Sequence, residues 1–413
     1  MFLHQNFPLY ICAAVRYNEN MLNQVNVNYG KTRSVIRELF EYGKKRKAEI
    51  GEDNVFDFSL GNPSVPAPDE VREELLKLVS DSDPVQLHGY TSAQGDFSVR
   101  KAIADDLNAR FKTHLNADCI YMTCGAAASL CITLNALLNA GDEVITFAPF
   151  FPEYAVFTAN AGGVLKAAEC DGNFQPDIAK FKAALTDKTK AVIINSPNNP
   201  SGVVYGEEII KDLCAALEEH EKNTGKRVYL ISDEPYRELV FGGVYVPFIM
   251  NYYENGIVCY SFSKSLSLPG ERIGYIAVNP QMSDADEVYA GVCGAGRALG
   301  YVCAPSLFQQ LVKNVLGKTA DISVYKANRD RLCAALTEYG FEVVKPDGAF
   351  YLFVKSPEES AAAFAERAKK YELLIVPADS FGVKGYVRIA YCVSPQTVER
   401  ALPAFRALAE SYR

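Results

Sequence analysis

No run of apolar residues in this sequence approaches the ~20 consecutive positions that a membrane-spanning helix needs. Nor is there an excess of positive charge. A formal net charge of -8 argues against a protein built to coat nucleic acid or an anionic membrane surface, so any anion it binds must be recognised locally. Histidine is scarce: the chain has 4, none at ligand spacing, and no metal site is expected. The 11 cysteines are odd in number and contain no C-x-x-C pair, which reads as reduced, mostly buried thiols and a cytoplasmic location. The opening "MFLHQNFPLYICAAVRYNENMLNQ" has no basic region ahead of its apolar patch, so no secretory signal is expected. Residues 1–30 read as an N-terminal extension, weakly ordered over the first twenty positions, with Met21 as an alternative start. Internal repeats and low-complexity segments are absent too.

What the sequence does have is a long alternation of helical periodicity with short, β-branched apolar runs. The length of 413 residues and an apolar content of 49% suffice for a large core in two domains. Candidate strands are "CIYMTC", "EVITFA", "KAVIINS", "RVYLIS", "GIVCYSF" and "GYIAV". Nearly all are apolar on both faces, the pattern of a mostly parallel sheet sandwiched between helices, and the fold class is therefore α/β. Each run ends in a turn: "GAAAS", "PFFPEY", "PNNPSG", "DEPY" or "SKSLS". Ligands of open α/β sheets collect beyond the carboxyl ends of the strands, so these turns should converge on one site. Residues 71–305 are assigned to this large domain. A helical stretch followed by short strands after Ser306, together with the amphipathic "SVIRELFEYGKKRKAEIG", makes residues 31–70 and 306–413 the two parts of a smaller α+β domain built from both chain ends.

Several turn residues have the chemistry of a site. Lys264, after "IVCYSF", sits where its amine would reach the ligand edge, and partial desolvation beside Arg272 would lower its pKa toward that of a nucleophile. A solvated loop lysine is the alternative. Ser261, Ser263 and Arg272 could cradle a phosphate, and the amides of Ala126 and Ala127, at a helix N-terminus after a glycine turn, could hold it from a second side. Asp233 ends a strand and needs a cationic or N–H partner if buried, such as a protonated pyridine nitrogen; otherwise it caps the next helix. Tyr236 and Asn199 could reach a phenolic oxygen on that ring, although "NNPSG" is also an ordinary turn. Phe151 could stack on the ring face or belong to the core. The glycine-rich "GAGRALG", Gly294 to Gly300, follows no convincing strand and is not read as a dinucleotide site.

In this order and spacing, these features resemble the fold type I pyridoxal-phosphate enzymes, and specifically the aspartate aminotransferase superfamily. The resemblance runs from about Lys31 to the end and includes "SLGNPSVPAP", "HGYTSAQGDFSVRKAIADDL", "NSPNNPSGVVY", "SDEPY", "SFSKSLSLPGERIGY", "PDGAFYLF" and "VRIAY". It implies a seven-stranded-type sheet, pyridoxal 5'-phosphate as cofactor, and a homodimer with shared active sites. By motif, Lys264 would form the Schiff base and shuttle the proton, Asp233 would hold the pyridine nitrogen, and Tyr236 and Asn199 the ring oxygen. Phe151 takes the place of the stacking aromatic, and Tyr90 would reach the phosphate from the second subunit. Arg388, helped by Asn199 and the backbone at Gly61, is similar to the clamp for the substrate α-carboxylate. Ala127 stands where many relatives have a hydroxyl or amide, so the phosphate cradle is expected to lack one side-chain contact. The implied activity is transfer of an amino group between an L-amino acid and a 2-oxo acid. A β-eliminating lyase on the same fold is the alternative, and a binding protein without chemistry ranks last because Lys264 is kept. Arg297 lies in the region where dicarboxylate-specific relatives place an arginine that crosses the interface; a structural interface ion pair is the other reading of it.

Overall fold

The computed structural model describes residues 22–31 and 34–413; the segment read as a weakly ordered extension with an alternative start, 1–21, lies outside the described residues. A two-residue strand, β1 (Phe56–Asp57), precedes the apolar runs. Those runs form β2 (Ile120–Thr123), β3 (Glu143–Ala148), β5 (Thr189–Asn195), β6 (Tyr229–Asp233), β7 (Gly256–Ser261) and β8 (Gly274–Val278). With β4 (Val164–Glu169) they make one seven-stranded sheet in the order β2-β8-β7-β6-β5-β3-β4. Strand β4 lies at the edge of this sheet, where its backbone need only be half covered. Its sequence "VLKAAE" carries two charges and is largely solvent-facing, so it lacks the apolar run that marks the other six.

Alternation along the strands fills two cores. Met122, Ile145, Phe147, Val192 and Ile194 point to one side, where they meet Val99 and Ile103 of the helix Phe97–Phe111 and Leu213 and Leu217 of Glu207–Thr224. Tyr121, Val144, Ala191 and Ile193 point to the other, against Leu130 and Leu134 of the helix Ala126–Leu137 and Val288 and Val292 of Ala285–Ala298. The sheet is parallel except at β8, which runs antiparallel to both β2 and β7. The reason is the short return from β7, residues 262–273, which holds one helical turn and a 3-10 turn and no crossover helix. The glycine-rich "GAGRALG" begins inside the helix Ala285–Ala298, and Gly296 is small because the Tyr121 hydroxyl occupies the space a Cβ would need.

The last strands are β9 (Val343–Val344), β10 (Tyr351–Lys355), β11 (Leu373–Leu374), β12 (Val376–Pro377) and β13 (Tyr386–Ala390). Four of them form an antiparallel sheet, β12-β13-β10-β9, while β11 pairs in parallel with β1. The β1–β11 pair ties the early segment to the C-terminal one, so this smaller body takes chain from both ends. Its separate core joins Phe58 to Leu332, Leu352, Phe364, Ile389 and Phe405. The helix Ser306–Asn314 packs elsewhere, its Leu311 and Val312 entering the same core as Val71 and Ile103.

Candidate active site

Where the two bodies meet, a cavity of about 300 Å³ opens beyond the carboxyl ends of β5, β6 and β7. Its walls include Gly61, Ala126, Ala127, Phe151, Asn199 and Asp233, and also Tyr236, Ser261, Ser263, Lys264, Arg272 and Arg388. The exception is Tyr90, which is 98% exposed and does not line the cavity in one chain.

At the floor, Asp233 ends β6 and is buried. Its Oδ2 accepts a 2.6 Å hydrogen bond from the hydroxyl of Tyr154, which packs edge-on against Phe151, while Oδ1 has no hydrogen-bond partner. Burial without a cation pushes the carboxyl up to about 7; the Tyr154 hydrogen bond opposes this only in part. Asn195 Nδ2 holds the Asp233 carbonyl at 2.9 Å, and its own side-chain oxygen accepts from the Asn199 amide at 2.7 Å. The two turns are therefore locked together.

On one side, Gly125 precedes the helix Ala126–Leu137 with φ +90°, and a Cβ there would come within 2.8 Å of the Arg272 guanidinium. Glycine thus lets Arg272 close on the helix N-terminus, where the first amides have no intrahelical partners. Ser261 and Ser263 face each other with hydroxyls 2.6 Å apart, completing a small concave set of donors. Arg272 also donates to the Pro269 carbonyl at 2.9 Å, which fixes the guanidinium plane.

Lys264 reaches across the cavity and donates to the carbonyl of Gly61 at 2.7 Å. Burial, with Arg272 and Arg388 nearby, lowers its amine to about 8, so a useful fraction is neutral near physiological pH. Arg388, in β13, is fully buried. Its Nη2 donates to the Ser59 carbonyl at 2.6 Å and its Nη1 to Asn199 Oδ1 at 3.1 Å, while Nε has no partner. Tyr351 and Phe381 lie under its faces, 4.6 and 5.1 Å from the guanidinium carbon. Asn199, which lines the cavity, thus spends its side-chain oxygen on Arg388. Tyr236 meets the hydroxyl of Tyr351 at 2.9 Å.

Sequence reasoning passed over Tyr154, Tyr351, Ser59, Phe381 and Asn195, which hold Asp233, Tyr236, Arg388 and Asn199 in place. Tyr154 and Tyr351 stood within quoted motifs, "PFFPEY" and "PDGAFYLF", and a search for buried polar partners of each charged residue would have drawn attention to them. Among the described residues no cluster of His, Cys, Asp and Glu could hold a metal ion, and no helix is long and apolar enough to cross a membrane.

Comparison with known proteins adds a family to this geometry. The sequence model of aminotransferase class I and II matches residues 53–405. The aspartate aminotransferase of Thermotoga maritima is 29% identical over 374 residues, which cover 89% of this chain and 95% of the relative. An aspartate aminotransferase from the same organism, solved as a crystal structure, is 29% identical and superposes with a TM-score of 0.81 over 91% of this chain and 97% of its own. An amino transferase from Eubacterium rectale, also solved as a crystal structure, is 54% identical, with a TM-score of 0.94 over 95% of this chain and 100% of that one.

Proposed function

Since the chain belongs to the class I and II aminotransferases, we propose that it binds pyridoxal 5'-phosphate in this cavity, covalently through Lys264, and so moves an amino group between an L-amino acid and a 2-oxo acid. The observation that carries the reading is the unpartnered Oδ1 of Asp233, a buried acceptor at the cavity floor on a carboxyl pushed up to about 7. A protonated ring nitrogen is the partner it lacks. The cradle fits the other end of the same group: two serine hydroxyls, a guanidinium and helix N-terminal amides suit a phosphate dianion.

When bound, the group supplies an aldehyde carbon that condenses with amines and a ring that draws electrons from the atoms attached to it. Asp233 would hold its nitrogen, Tyr236 and the Asn199 amide its ring oxygen, and Phe151 one ring face. Ser261, Ser263, Arg272 and the Ala126 and Ala127 amides would hold the phosphate, with no side-chain contact from Ala127. Arg388 would clamp the substrate's α-carboxylate through its free Nε and outer N–H groups, beside Asn199 and the backbone at Gly61. Lys264 Nζ, with its lowered pKa, would take the proton from the substrate α-carbon and return it to the opposite end of the reacting system.

Tyr90 enters this scheme from a second copy: its 98% exposure in one chain suits a residue that completes a neighbour's phosphate site, and the working unit is then a homodimer with shared sites. The described cysteines are all free, which accords with a cytoplasmic location. We assign the helix Ser306–Asn314 to the large body on its packing, and residues 34–70 with the chain beyond about Val315 to the small one. The test is to load the protein with pyridoxal 5'-phosphate and mix it with each amino acid, aspartate first, as in the Thermotoga relative. Loss of the visible band with an equivalent of 2-oxo acid supports transamination. Release of pyruvate with ammonia would make it a β-eliminating lyase, and no response to any amino acid would overturn the proposal.

A further inference from the structure

Tyr351 has no role in the scheme above, yet it touches three parts of it and reaches a fourth, Lys264, through one of them. Its hydroxyl lies 2.9 Å from that of Tyr236. Its ring lies under Arg388, 4.6 Å from the guanidinium carbon. The backbone of Gly61 packs so tightly on the Tyr351 hydroxyl that a Cβ at Gly61 would collide with it, and the carbonyl of this same glycine receives Lys264 Nζ. The strand geometry explains the position. Tyr351 opens β10 opposite Ala390 of β13, two residues along from Arg388, so ring and guanidinium share one face of the sheet.

The phenol pair has a directional consequence. Both tyrosines are buried, which raises Tyr351 to about 12 and Tyr236 further, so both keep their protons at physiological pH. Two neutral phenols joined by one hydrogen bond use one of their two protons between them. The phenol that accepts keeps its own proton for a third partner. If Tyr236 is to donate to an oxygen in the cavity, Tyr351 must be the donor within the pair.

We propose that Tyr351 is a positioning residue with two separable effects: its hydroxyl donates to Tyr236 and thereby turns the Tyr236 proton into the cavity, and its ring face supports Arg388 in the plane that meets the substrate carboxylate. This rests on the pyridoxal-phosphate reading. Donation to Tyr236 also makes Tyr236 the stronger donor, because hydrogen bonds in a chain polarise one another. A donor to the ring oxygen would compete with the proton that Lys264 Nζ, once joined to the group, would share with that oxygen. Strong donation therefore lowers the pH at which that nitrogen loses its proton, and weakened donation raises it.

The experiment titrates the visible band of the loaded protein against pH in the parent, Tyr351→Phe and Tyr351→Leu. It also measures binding of the α-methyl analogue of the best donor amino acid, which has no α-proton to lose. Tyr351→Phe should raise the midpoint by on the order of half a pH unit while analogue affinity stays within ~2-fold, since the ring remains under Arg388. Tyr351→Leu should raise the midpoint similarly and weaken the analogue about tenfold. An unmoved midpoint in the phenylalanine variant, or a fall, which would mean Tyr236 is the donor within the pair, overturns the hydroxyl's role. Equal analogue affinity in the parent and the leucine variant overturns the ring's. Should the leucine variant not fold, a large loss of analogue affinity in Tyr351→Phe would overturn the ring's role instead, because that variant keeps the ring. A parent whose loaded form has no visible band would sink the cofactor reading itself, whereas a titrating parent with unmoved variants sinks only this inference.

Discussion

The two ends of the cavity each hold a buried polar atom without a partner, Asp233 Oδ1 at the end of β6 and Arg388 Nε on β13, but the fold treats them differently. Asp233 receives a single side-chain hydrogen bond, from Tyr154, and its unbalanced charge shows as a pKa near neutrality, about 7. Arg388 is braced by the Ser59 carbonyl, by Asn199 and by two aromatic faces. The contrast follows from the two groups' chemistry. A carboxylate without its counter-ion can take up a proton, whereas a guanidinium keeps its charge, so the protein must supply substitutes for water around it beforehand. One end can wait for a cation; the other has to be built in advance for an anion that comes and goes.

The largest effect should come from between these ends. Lys264→Ala is expected to leave a folded protein that has lost turnover by on the order of 10⁴-fold or more, since amine and proton carrier go together. Borohydride reduction of the loaded parent followed by mass spectrometry should mark Lys264, and a mark on another lysine would move the centre of the site. Next is Asp233→Asn, expected to slow α-proton removal by roughly 10² to 10³-fold, comparable to losing one electrostatic stabiliser of a transition state. It should also change the cofactor-free protein. The folded-state pKa of Asp233 is raised from 3.8 to about 7, so the folded form binds the proton more tightly than the unfolded one, and parental stability should fall as pH rises across that window. The asparagine variant should lack this decline. Chemical denaturation at pH 5 and pH 8 measures the difference, on the order of a few kcal/mol. Identical slopes in parent and variant would show that the floor is not the adjustable end.

Arg388→Ala tests the built end. It should weaken every amino acid and every 2-oxo acid alike, by roughly 2 to 5 kcal/mol in kcat/KM, the penalty for losing one partner of a buried charge pair. Arg388→Lys should restore little, because an ammonium cannot span Ser59, Asn199 and a carboxylate from one plane. A defect confined to acidic substrates would instead assign Arg388 to the substrate side chain.

The same contrast separates what was legible in the sequence from what was not. Asp233, Ser261, Ser263 and Lys264 follow directly from apolar strand runs, so their place at one sheet edge could be read from local pattern alone. Their supports could not. Tyr154 lies 79 residues from Asp233, and Ser59 lies 329 from Arg388; no periodicity encodes contacts between separate elements at such distances. Strand β4 escaped for another reason, since an edge strand open to solvent does not need the apolar run that betrays a central one. Strand β8 was read from "GYIAV", but not its direction, because its sequence looks like a buried parallel strand and only the short return from β7 shows that it is reversed.

The smallest expected effect concerns the substrate's far end, where the described residues of one chain offer neither kind of site. Among the described residues, the cations lining the cavity are Lys264, Arg272 and Arg388, and each is engaged by the proposed chemistry, so none of these three is left for a distal carboxylate. Arg297, near the end of the helix Ala285–Ala298, is exposed and lies outside the cavity lining, so it could serve such a carboxylate only across an interface with a second copy. An exposed arginine beside the half-open Tyr301 and Val302 suits an interface ion pair at least as well, and such pairs are worth about 1 kcal/mol or less. The expectation for Arg297→Ala is therefore a loss in kcat/KM of no more than ~5-fold, equal for aspartate and alanine, as that energy allows. A loss above ~100-fold for aspartate with alanine spared would reverse it, because an arginine fork on a carboxylate discriminates on that scale. The far end of the site would then be of the built kind, but shared between two chains.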